Sequence, residues 1–77
     1  MHVGPWSECV AVRIGDRIEF VSNTRQALDL LENWPAPHSP ASQGALGTCQ
    51  EVLLGHSPAY LARIAFDAAA KERGIRL

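Results

Sequence analysis

The chain has 77 residues, 47% of them apolar and 19% charged, with seven basic side chains against eight acidic for a formal net charge of -1. Such a composition predicts one small globular domain and lacks the basic excess that draws proteins to nucleic-acid phosphates or to an anionic membrane surface. No basic flank leads into a long apolar run, and no apolar stretch is long enough to span a bilayer, so a cytoplasmic protein with Cys9 and Cys49 reduced is expected.

In chain order, residues 1–7 carry no periodic pattern and are expected to be irregular. Residues 8–22 read as a β-hairpin, with Val10, Val12, Ile14, Ile18 and Phe20 as its apolar positions. A two-residue Gly15-Asp16 turn would pair Ile14 with Arg17 and send Ile18 to the face opposite Val12. An odd-length loop, or an equivalent bulge, pairs Val12 with Phe20 and gathers all five apolar residues on one face, with Arg13 opposite Glu19 on the other. The odd loop is the expected register.

Residues 23–34 read as the first helix. Asn23 is its cap, Gln26 follows three residues later as in a capping box, and Ala27, Leu30, Leu31 and Trp34 hold helical spacing. Pro35 disfavours a helical backbone at Trp34 and ends the run. Pro35 and Pro37 stiffen the connection, and Ser39-Pro40 has the order of an N-cap followed by its first helical residue. The rival reading of Pro37 to Pro40 as a P-x-x-P ligand lacks basic flanks and a longer polyproline run.

The middle helix, 40–54, aligns Ala45, Leu46, Cys49, Val52 and Leu53, while Gly44 and Gly47 weaken it by about 1 kcal/mol each relative to alanine. Their G-x-x-G spacing matches the RNA-clamping loop of KH domains, but it lies inside a helical pattern without basic neighbours. Gly55 suits the left-handed end of this helix. Ser57-Pro58 repeats the cap order before the last helix, 58–73, and Gly74 with Ile75 has the pattern of a Schellman motif. Arg63, Asp67 and Lys71 form an (i, i+4) ladder there. Ile64 and Phe66 point about 160° apart on the helical wheel, so this helix is expected either to lie between two layers or to turn one edge toward a second molecule. Together these elements predict an α+β fold: a two-stranded antiparallel β-hairpin packed by three helices, ββααα, in one domain spanning 1–77.

The chain resembles a small bacterial family catalogued as domain of unknown function 982. The matching residues are Trp34-Pro35, Ala45-x-x-x-Cys49, Leu54-Gly55, Ala62-Arg63-x-x-Phe66-x-x-Ala69-Ala70 and Gly74-Ile75, and the strand pair before them is similar in layout. Ser42 departs from the family pattern, which carries a larger residue there. The resemblance implies a single-domain cytoplasmic protein and brings no catalytic residues with it.

Chemistry-bearing residues are few. Cys49 and His56 invite a cysteine–histidine nucleophile reading, but Cys49 shares the apolar side of its helix with Leu46 and Val52, as a small hydrophobe does. Cys9, Cys49, His38 and His56 have no metal-ligand spacing, so no metal and no cofactor are implied. Arg63 could stack on Trp34 or bind a carboxylate; the simpler reading makes Trp34 a core plug and Arg63 a rung of the salt ladder. No catalytic residue is assigned, and Trp34, Arg63, Cys49 and His56 are the candidates for ligand contact. The leading expectation is a non-enzymatic protein-interaction or regulatory module. Its partner, or a second copy forming a homodimer, would dock through a hairpin edge or the last helix. A small-ligand binder or minor enzyme using Cys49, His56 or Arg63 comes second, and a nucleic-acid binder third.

Overall fold

Five elements follow one another along the chain: β1 (Pro5–Ile14), β2 (Arg17–Asn23), α1 (Thr24–Glu32), α2 (Pro40–Leu53) and α3 (Ala59–Arg73). The structure is a computed structural model that describes residues 3–34 and 38–77. The ββααα order and the α+β class are those expected. The readings placed on Pro35 and Pro37, the P-x-x-P alternative included, lie outside the described residues.

The hairpin register differs from the expected one. Ile14 pairs with Arg17, Arg13 with Ile18, Val12 with Glu19, Ala11 with Phe20 and Val10 with Val21. The loop is therefore the two-residue one, Gly15-Asp16. Gly15 has φ +63, and Asp16 is not among the positive-φ residues. Glycine first, with only that position left-handed, is the turn pattern whose twist matches paired strands. Val10, Val12 and Val21 are consequently buried on the helix side, while Ile18 (49% exposed) and Phe20 (64%) stand on the outer face. Glu19 takes the inner position expected for an apolar residue and pairs with Arg17 at 3.2 Å rather than with Arg13.

β1 also begins earlier than anticipated. Instead of an irregular N-terminus, Pro5 pairs with Asn23 across an irregularity before Val10. Gly4 lies against the start of α1: its carbonyl accepts from the Thr24 backbone N–H and the Thr24 hydroxyl, both at 2.8 Å. Thr24 Oγ1 in turn accepts from Trp6 Nε1 at 3.1 Å.

Helix ends follow local chemistry. Asn23 accepts from the Gln26 N–H at 2.8 Å and Ser39 from the Ser42 N–H at 3.1 Å, with Pro40 opening α2. Gly55 (φ +83) and Gly74 (φ +80) both end helices in Schellman geometry: His56 N–H reaches Glu51 C=O, and Ile75 N–H reaches Ala70 C=O. Ser57-Pro58 is the exception, because Pro58 is itself the cap residue and no side chain caps α3. The core lies between the inner hairpin face and the three helices. Phe66 is fully buried at its centre, with Trp6 at 5.9 Å and Trp34 at 6.1 Å between ring centroids.

Candidate functional site

Both large residues of α3 find separate environments. Phe66 enters the core, and Ile64 is left 51% exposed together with Leu61 and Tyr60. Beside them α2 turns Gly44 and Gly47 outward, and a side-chain carbon built on either glycine would meet nothing within 4 Å. The outcome is an open groove of about 510 Å³ between α2 and α3, lined by Gly44, Gly47, Thr48, Leu61, Ile64 and Ala65, with Glu51 and Ser57 at its margin. The G-x-x-G pair thus sits within a helix and shapes a wall, not a phosphate-clamping loop. A second open groove of about 380 Å³ is lined by Arg25, Leu28, Gln50, Leu53 and Leu54.

The four candidate contact residues do not converge on either groove. Cys49 is fully buried, and burial pushes its thiol pKa from 9.0 up to about 11, which leaves it neutral and inert at physiological pH. His56 is exposed and bonds Glu51 at 2.7 Å, so the nucleophile pair proposed from sequence is not assembled. Trp34 is buried against Phe66 and carries a cation over its ring, but that cation is Arg73, at 6.0 Å, and not Arg63. Nor does Arg63 supply the expected rung of the ladder. Asp67 is held by Lys71 at 3.0 Å and by Arg76. Burial pushes the Asp67 carboxyl up, yet the hydrogen bonds and charges of Arg76 and Lys71 outweigh it and hold the group below its ordinary range.

One pair that sequence spacing did not suggest is His38 with Ser42, at 3.1 Å from Nδ1 to Oγ. It resembles a base and its nucleophile, but the Ser42 hydroxyl donates to the Ser39 carbonyl at 3.1 Å. With its single proton directed there, the Ser42 oxygen accepts from the Nδ1–H tautomer of His38. Ser42 is also 1% exposed, so the pair closes the first turn of α2 and activates nothing. The small Ser42 side chain fits this enclosed position. Among the described residues no group of three or more His, Cys, Asp or Glu could hold a metal ion, and no helix is long and apolar enough to cross a membrane.

Comparison with known proteins adds the following. Residues 8–77 match the family described as "Protein of unknown function (DUF982)". The chain is similar to an NMR structure of the Agrobacterium tumefaciens protein Atu1219, with a TM-score of 0.76 and 27% identity, over 95% of this chain and 75% of that one. No curated protein matches it.

Proposed function

This chain belongs to the DUF982 family, whose description names no activity, and we propose from its surface that it is a non-enzymatic protein-interaction module of the cytoplasm. The observation that carries this reading is the groove between α2 and α3. Glycine inside a helix costs about 1 kcal/mol relative to alanine, a cost accepted where something must come close to the backbone. Among the described residues nothing approaches a side-chain carbon built on Gly44 or Gly47, which leaves this wall open to another molecule. Leu61 and Ile64 supply apolar contact along the opposite wall. The groove matches the apolar side of a partner helix, which docks by small numbers of anchoring side chains. Two free cysteines, one of them exposed, fit a reducing compartment.

The test is affinity capture from the cell's own lysate with the unmodified chain and with Ile64→Glu, a change at a half-exposed position that leaves the core untouched. A specific protein retained by the first and lost by the second is the expected result. A blank from both, or the same protein on both, would remove the groove from consideration.

A further inference from the structure

The two-stranded sheet has two outer edges, and each is occupied by something that is not a full strand. On β2, the Gln26 carboxamide donates to the Phe20 carbonyl at 3.0 Å and accepts from the Ser22 N–H at 3.0 Å. A side chain there takes the place of a neighbouring backbone. On β1 the occupant is the C-terminal segment just past Gly74. Arg13 N–H donates to Ile75 C=O at 2.8 Å, and Leu77 N–H donates to Ala11 C=O at 3.0 Å, an antiparallel bridge that sets Arg76 opposite Val12. The side chain of Arg76 is tied to Asp67 on α3. Residues 75–77 thus form a strap, held to β1 by two backbone bonds and to α3 by the Arg76–Asp67 ion pair and the Ile75 amide, with Ile75 partly buried against the core.

We propose that this strap covers a self-pairing edge, and that when it lifts, β1 pairs antiparallel with β1 of a second copy of this chain. The edge is complementary to itself. Ala11 and Arg13 turn their backbone groups away from β2, and the strap uses the Arg13 N–H as a donor and the Ala11 C=O as an acceptor, two residues apart. A copy related by a two-fold axis at Val12 returns an acceptor and a donor at that same spacing, replacing both bonds the strap makes. That register also sets Val12 opposite its counterpart and Val10 opposite Ile14 of the copy, so the seam between the two copies is apolar on the inner face. Unpaired sheet edges invite such pairing, and short covering segments are a known way to prevent it. The groove between α2 and α3 plays no part, so this inference stands apart from the function proposed above.

The experiment uses Arg76→Glu in the full chain, which sets like charges together at Asp67 and frees the strap. Hydrogen exchange at the Arg13 amide and sedimentation equilibrium over a dilution series are the readouts. The Arg13 amide of the dilute variant should exchange roughly tenfold faster or more, and a dimer should form at concentrations where the unmodified chain is monomeric. Adding Arg13→Pro, which removes the outward donor at an edge position, should restore the monomer. If Arg76→Glu lowers the folded fraction by circular dichroism, Arg76→Ala, which removes the ion pair to Asp67 without adding a like charge, is read in the same way. A freed Arg13 amide with a monomer at every concentration overturns the proposal. So does an unchanged Arg13 amide in the variants, or an unmodified chain that dimerises as strongly as they do.

Discussion

Among the glycines, Gly4 has the least freedom to change. Its φ of +62 is left-handed, and a side-chain carbon there would lie 2.5 Å from Thr24 Oγ1. That hydroxyl is the hub through which Trp6 and the Gly4 carbonyl meet the start of α1. Gly4→Ala should therefore destabilise the fold by about 2–4 kcal/mol, as seen in the denaturant midpoint, through backbone strain and loss of this junction. Cys49 makes a second prediction, in pH. An unfolded thiol ionises near pH 8.5–9, whereas the buried one ionises only at about 11. Because the folded pKa is raised, the stabilisation is complete below about pH 9 and is lost as pH climbs through 11, a fall of roughly 3 kcal/mol. Cys49→Ala, which cannot ionise, should lose that part of the slope in denaturation curves measured from pH 8 to 11. An unchanged slope would show that the thiol is not shielded.

At the scale of elements, α2 carries a prediction of opposite sign. Gly44→Ala and Gly47→Ala meet nothing among the described residues, so each should stabilise the monomer by about 0.5–1 kcal/mol in thermal unfolding. If the groove binds a partner helix, the same double variant should bind it less well. The helix ends were legible because each signal acts within four residues: Asn23, Ser39, Gly55 and Gly74 satisfy orphan backbone groups by chemistry that local sequence contains. Hairpin register follows the turn instead of the burial of every apolar residue. The Gly15-Asp16 turn prevailed, and Ile18 and Phe20 were left outside, which is no anomaly where too little polar surface exists to coat a small protein. The contacts of Asp67 and Trp34 escaped for a different reason. Their partners Arg76 and Arg73 reach them through the turn at Gly74 and the packing of α3, and periodicity along one helix cannot reveal such neighbours.

For the molecule as a whole, Phe66 decides whether there is one core or several. Its ring is fully buried and touches both Trp6, from the strand that opens the chain, and Trp34, from the end of α1. The hairpin and the helices thus share a single aromatic centre. A 77-residue domain has a total stability of about 4–12 kcal/mol. Replacing Phe66 by Ala removes about 3–5 kcal/mol through lost burial and the cavity left behind, a large share of that total. Ile64→Ala, at a position already half in water, should cost under about 1 kcal/mol. Because both tryptophans line the same ring, unfolding followed by indole fluorescence and by far-ultraviolet circular dichroism should coincide for the unmodified chain, as a two-state transition requires. Phe66→Ala should lower both midpoints together. Were fluorescence to change while helical signal persisted, the hairpin and helices would be separate cooperative units, and Phe66 a contact between them instead of their common centre.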